Sequence, residues 1–244
     1  MNPNPRTLRT LCASALGGVA LLFGGAWAGA AEHPHAPAAA PAKTAAPALD
    51  ADVYPLSTCV VTGQKLGAMG DPVVYQHQGR EIRFCCKGCI EKFESDPAGY
   101  LKLVDAEIVK QQLPHYPLAT CVITGEKLGS MGQPVDYVHK NRLVRFCCQG
   151  CVAQFQKAPL KHIAALNKAV LEKQSAAYPL DTCVVMGTKL GKMGDTIDYV
   201  SGNRLVRLCC KGCIAAFQKE PAKYLEKLDA ALKAKQGAAP KPTR

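Results

Sequence analysis

Thiols dominate the chemistry this chain could do. Of its thirteen cysteines, twelve fall into three copies of one pattern: Cys59, Cys85, Cys86 and Cys89, then Cys121, Cys147, Cys148 and Cys151, then Cys183, Cys209, Cys210 and Cys213. Each recurs after 62 residues without insertion or deletion, which marks three copies of one supersecondary unit. Thiolates are soft donors that suit Zn(II), Cu(I) or an iron–sulfur centre, and four of them match tetrahedral zinc. Cys86-x2-Cys89 has zinc-knuckle spacing, while Cys85-x3-Cys89 lets a strand end and a first helical turn chelate together. A single such pair is a weak signal; a quartet kept three times is a strong one. All twelve cysteines are therefore candidate ligands, for one zinc or copper(I) ion per repeat.

The same even counts would serve a disulfide framework. Adjacent Cys85 and Cys86 could bridge each other only with strained geometry. If each bridged elsewhere, Cys59 and Cys89 would be the partners, crowded around one helix start. Metal ligation and disulfides both remain open on sequence grounds.

The elements that position these thiols can be read from the first copy. Cys59-Val-Val-Thr62-Gly63 reads as a tight knuckle whose amides face a thiolate, with Gly63 free to take positive φ. Gly67 and Gly70 bracket Met69 in a second turn. Pro72 to His77 and Glu81 to Phe84 read as strands of a hairpin around Gln78-Gly79-Arg80, and the second strand runs into Cys85. Cys89, Ile90 and Phe93 have the spacing of a short helix. Asp96-Pro97 then restarts a helix that carries Tyr100, Leu101, Val104 and Ile108 to about Gln112. The other copies keep the plan, with Pro159 and Pro221 at the restart.

Other recurring side chains carry weaker expectations. Met69, Met131 and Met193 are expected to fill a small core beneath the two-glycine turn rather than to ligate, and Met186 to pack beside its glycine. His77 and His139 correspond, but the third copy has Ser201 there, so they are expected as exposed strand residues and not ligands. Arg80, Arg142 and Arg204, with Arg83, Arg145 and Arg207, flank the thiols; they could lower thiol pKa values or simply form the solvent side of a strand.

A cysteine knuckle, a hairpin, then Phe84-Cys85, Cys89 and Phe93-x3-Pro97 resembles the TRASH and YHS family of small heavy-metal-binding domains. The likeness covers each repeat, about three-quarters of the chain. It implies an α+β fold of three tandem treble-clef-like units and roles in metal trafficking, sensing or resistance. It also implies that Cys59, Cys85 and Cys89 are ligands. This chain departs from the family at Thr62, Thr124 and Met186, where many such knuckles carry a second cysteine; Cys86, Cys148 and Cys210 are the obvious substitutes for the fourth ligand.

Flanking segments suggest a location. Residues 1–30 read as a signal peptide, with Arg6 and Arg9 ahead of an uncharged apolar run and small residues near Ala28 to Ala30. Cys12 falls within it. Residues 31–53, rich in Ala and Pro and carrying His33 and His35, read as a disordered tether. The repeats are then expected at 54–112, 116–175 and 178–236, with a basic tail at 237–244. A periplasmic or otherwise exported protein follows, with no membrane span after cleavage. Of the +11 net charge, residues 54–112 contribute nothing, seven charges of each sign cancelling. Basic residues elsewhere are interspersed with acidic ones, which with export argues against nucleic acid as partner. Metal ions are the expected partners, with room for a protein in the envelope. No P-loop, no nucleophile with a base and no thioredoxin-like CxxC is present, so no enzyme is expected. The alternative reading is an interaction scaffold whose repeats are held by zinc or disulfides. Units of about 60 residues bury little apolar surface and are expected to lean on such supports.

Overall fold

Two residues with left-handed backbone set the shape of every repeat. In the computed structural model, which describes residues 52–237, the hairpin turns are Gln78–Gly79, Lys140–Asn141 and Gly202–Asn203, all at positive φ. That conformation gives the two-residue turn whose twist matches the strands it joins, and it favours Gly and Asn. The expected signal peptide with Cys12, the linker as far as residue 51 with His33 and His35, and residues 238–244 lie outside the described residues.

Three antiparallel hairpins result: β1 (Val73–His77) with β2 (Arg80–Phe84), β3 (Val135–His139) with β4 (Arg142–Phe146), and β5 (Ile197–Ser201) with β6 (Arg204–Leu208). Registers are equivalent, with His77 opposite Arg80, His139 opposite Arg142 and Ser201 opposite Arg204. Each hairpin is followed by a short helix and a long one: α1 (Gly88–Ser95) and α2 (Pro97–Gln112), α3 (Gly150–Lys157) and α4 (Pro159–Gln174), α5 (Gly212–Lys219) and α6 (Pro221–Gly237). Proline opens each long helix, where its missing N–H costs nothing. Asp96 caps the first by accepting from the Gly99 amide at 3.0 Å; Ala158 provides no side-chain cap for α4. The chain is thus α+β with three repeated units, each a hairpin followed by two helices.

Apolar cores sit between hairpin and short helix. Phe84 packs on Phe93 with ring centroids 5.5 Å apart, and Phe146 on Phe155 at the same distance; Leu208 and Phe217 fill these places in the third repeat. His77 and His139 are not the exposed strand residues expected. They are half-buried and stand edge-on to Phe93 and Phe155, at 5.3 and 5.1 Å. Both correspond to the buried Ser201.

The repeats are not beads on a string. Helix α2 lies on the β3–β4 hairpin and α4 on the β5–β6 hairpin. Each of these helices ends in a glutamine that satisfies backbone groups of the next hairpin. Gln112 donates to the Asn141 carbonyl and accepts from the Leu143 amide, both at 2.8 Å; Gln174 does the same to Asn203 and Leu205. Arginines that open the second strands reach forward in the same sense. Arg80 Nε donates to Asn141 Oδ1 and Arg142 Nε to Asn203 Oδ1, each at 2.8 Å.

The first repeat also meets the third. Arg83 donates to the carbonyls of Gln218 and Lys219 at the end of α5. Asp52 bridges the other two hairpins: its amide donates to the Lys140 carbonyl at 3.0 Å, and its carboxylate accepts from the Gly202 amide and from Arg142 Nη1, both at 3.1 Å. Val53 is buried in the third repeat's core. Asp52 and Val53, read from sequence as the end of a tether, are built into the fold.

One titrating group reports on the contact between repeats two and three. Burial, with the Arg204 cation beside it, pushes His115 down to about 4, although Asp229 at 3.7 Å pulls the other way. The folded protein holds His115 neutral where an unfolded chain, with a pKa near 6.5, takes up a proton. The unfolded state therefore binds more protons between about 6.5 and about 4, and stability falls as pH drops through that window. His115→Gln should flatten the dependence; equal slopes for both proteins in urea melts between pH 4 and 7 would contradict the assignment.

Candidate metal centres

Each knuckle closes through its own backbone. The Cys59 amide donates to the Gln64 carbonyl and the Gly63 amide to the Cys59 carbonyl, both at 2.8 Å, with Gly63 at φ +71°. The same pair of bonds recurs at Cys121 and Cys183. Cys85, Cys147 and Cys209 follow directly on the last residues of β2, β4 and β6, and Cys89, Cys151 and Cys213 sit in the first turn of α1, α3 and α5. Hairpin and short helix thereby deliver three thiols from three separate elements to one point.

Cys59, Cys85 and Cys89 are buried with their sulfurs all within 4.8 Å of one another, as are Cys121, Cys147 and Cys151, and Cys183, Cys209 and Cys213. The strand-end and helical sulfurs are 3.7 Å apart in every repeat, and Cys183 lies 3.8 Å from Cys213. Four sulfurs around a zinc ion at about 2.3 Å are about 3.8 Å apart, so the strand-end and helical sulfurs of every triad, and Cys183 with Cys213, have the spacing of a tetrahedral edge. All twelve described cysteines are free thiols.

Cys86, Cys148 and Cys210 stand apart from these groups. They are partly exposed, and each approaches the helical cysteine closely, Cys86 to Cys89 at 3.6 Å, Cys148 to Cys151 at 3.7 Å and Cys210 to Cys213 at 3.5 Å. They lie on the outer edge of each triad, where a fourth ligand or solvent would approach.

Electrostatics divide the labour among the thiols. Burial raises the Cys59 thiol, but amides of Cys85, Thr62 and Val61 and the Thr62 hydroxyl outweigh it and bring it down to about 7. Cys121 is brought to about 7 against the same burial by Thr124, Cys147 and Ile123, and Cys183 is lowered by amides of Met186, Cys209 and Val185. Burial, reinforced by the neighbouring thiols, pushes Cys89 up to about 12, and Cys151 and Cys213 upward likewise. The knuckle thiol thus ionises more readily than the helical one, whose proton a bound cation would have to displace.

The flanking arginines serve other partners. Arg83 pairs with Glu81, Arg145 with Asp136 at 2.6 Å and Arg207 with Asp198 at 3.0 Å. Arg145 and Arg207 also lie over the rings of Tyr116 and Tyr178. The hydroxyls of these tyrosines accept from the Arg145 and Arg207 amides, fixing the strands that end in cysteine.

The methionine expectation fails. Met69, Met131 and Met193 are 59, 64 and 60 % exposed, so they plug no core, and Met186 is 64 % exposed rather than packed. It is Leu66, Leu128 and Leu190 of the same turns that turn inward, where they pack on the cores. Two glycines at positive φ lift the methionine outward on each turn. Sequence reading also missed the hydroxyls beside the thiols: Thr62 Oγ1 lies 3.3 Å from Cys85 Sγ and Thr124 Oγ1 lies 3.5 Å from Cys147 Sγ. Their recurrence at the same knuckle position was the available signal.

Among the described residues, no helix is long and apolar enough to cross a membrane. No family model, no curated protein and no solved structure matches the chain.

Proposed function

We propose that this protein is exported and binds soft transition-metal ions, zinc or Cu(I), one at each cysteine cluster, in metal trafficking, sensing or resistance. The observation that carries the reading is the threefold recurrence of a buried thiol triad within 4.8 Å, one edge of each at the 3.7 Å that tetrahedral ligation needs. Cys59, Cys85 and Cys89 and their counterparts would hold the ion, with Cys86, Cys148 and Cys210 closing the site from its exposed edge. The likeness to TRASH and YHS domains, with its treble-clef-like unit, agrees with this ligand set, and the leader-like N-terminus supports export. Thiolate donors of this kind supply tight binding to soft ions.

A second reading has its own support, because the ligand cysteines belong to the apolar cores themselves, beside Phe84 and Phe93 in the first repeat. Metal there would be scaffold, and the surface of the repeats would carry the function. Native mass spectrometry of the reduced protein after anaerobic reconstitution should show three metal ions per chain. One ion, or none, would refute metal binding by the clusters. Removing the ions then separates the readings: circular dichroism retained after chelation favours carriage, and collapse of the helix signal favours a scaffold.

A further inference from the structure

The three clusters are built alike except at one position. The third residue after each knuckle cysteine is Thr62, Thr124 and Met186. In the first two repeats the structure shows where a side chain from that position goes, since the threonine oxygens lie 3.3 and 3.5 Å from Cys85 and Cys147 sulfurs. The position therefore faces the cluster. In the third repeat the backbone is the same, with the Gly187 amide on the Cys183 carbonyl at 2.7 Å and Gly187 at φ +69°. The side chain offered there is a thioether on an unbranched stem, and it is not committed to any core.

A hydroxyl is a hard, weak donor to a soft ion, whereas a neutral thioether prefers Cu(I). Three thiolates with a hydroxyl neighbour and three thiolates with a thioether neighbour are different ligand sets. The other exposed methionines cannot create this difference, because Met69, Met131 and Met193 occur once in every repeat.

We propose that Met186 makes the third cluster a thiolate–thioether site selective for Cu(I), distinct from the two threonine-lined clusters. The proposal rests on metal binding at the clusters and adds that the three sites are ranked, not equivalent. Copper(I) entering the protein settles first at Cys183, Cys209, Cys213 and Met186, and Met186 is the residue that determines the preference.

The test is a titration of the reduced full chain with Cu(I) against a chromophoric Cu(I) chelator, with the methionine methyls carbon-13 labelled. One of three equivalents should be held about 10- to 100-fold more tightly, the range seen when one group around a metal changes. The Met186 methyl signal should shift with that first equivalent while those of Met69, Met131 and Met193 stay. Met186→Thr, which installs the residue the other two repeats already carry, should leave three equal equivalents. Thr62→Met should produce a second tight one. Three equal equivalents in the unaltered chain would overturn the proposal, as would a Met186 methyl that stays fixed, or a shift at Met193 in its place, when the first copper is bound. Absence of bound copper or zinc at every cluster is a different result, and it would overturn the metal-binding reading beneath.

Discussion

Arg142→Ala is expected to destabilise all three repeats together, by about 3–5 kcal/mol, the cost of breaking a buried ion pair from one side. Arg142 is 2 % exposed and each nitrogen of its guanidinium has a different customer. Nε donates to Asn203 of the third repeat, Nη1 to the Asp52 carboxylate ahead of the first, and Nη2 to Asn167 of its own long helix. Truncation removes the buried cation from the nearly buried Asp52 carboxylate, which keeps the Gly202 amide, and takes this donor from two amide oxygens at once. Because those partners belong to different repeats, the loss should appear as one cooperative urea transition at lower midpoint, not as melting of the second repeat alone. Retention of the unaltered midpoint, or three separable transitions in the parent protein, would show that the hub contributes little. Arg142→Lys should rescue only partly, since an ammonium cannot span three acceptors in a plane.

Cys89→Ser is expected to cost one metal equivalent, whereas Cys86→Ser should keep all three. Cys89 is buried at the centre of its group, 3.7 Å from Cys85 and 3.6 Å from Cys86, while Cys86 is partly exposed at the edge. Structural zinc sites yield about 10–16 kcal/mol, so each of four ligands carries about 3 kcal/mol, on the order of a hundredfold in affinity. Loss of the buried helical thiol should reach that figure or exceed it. Replacement at the edge leaves the Cys59, Cys85 and Cys89 face intact and lets water take the open position. Metal analysis after competition with a chelator measures both variants. Equal losses for the two would make Cys86 a full member of the site; three ions retained by Cys89→Ser would remove the triad from consideration. Cys151→Ser and Cys213→Ser should behave as Cys89→Ser does.

The hub bears on how far the fold depends on metal. Considered alone, a 60-residue repeat looks too small to stand without its ion. The structure gives each repeat further support, through Gln112 and Gln174 clamping the next hairpin and Arg83 holding the end of α5. A repeat without an ion would still be gripped by two neighbours.

Local signals made much of this protein legible from sequence. The 62-residue recurrence gives three units. Alternating β-branched and aromatic residues around Gln78-Gly79, and Asp-Pro ahead of a helical spacing, give the hairpins and helices within a residue or two of where they stand. The thiols stood out as candidate ligands because cysteine is rare and its spacing chemical. Each of these rests on residues close in the chain, where spacing alone fixes who meets whom.

Tertiary structure decided what spacing cannot express. Asn141 and Asn203 read as turn residues, yet they also receive an arginine from the preceding repeat; Gly79, which no repeat precedes, has no side chain to offer. Polar residues are counted outward by any periodicity argument, which offered the strand-opening arginines as a solvent side; Arg80, Arg142, Gln112 and Gln174 turn inward instead. They turn inward because partners 61 residues away satisfy the arginines and partners 29 to 31 residues away the glutamines, and such pairing leaves no trace in a local window. Which side of a two-glycine turn reaches the core was equally beyond the sequence. Both Leu66 and Met69 are apolar, and only the direction imposed by Gly67 and Gly70 at positive φ packs the first, half-buried, on the core and exposes the second.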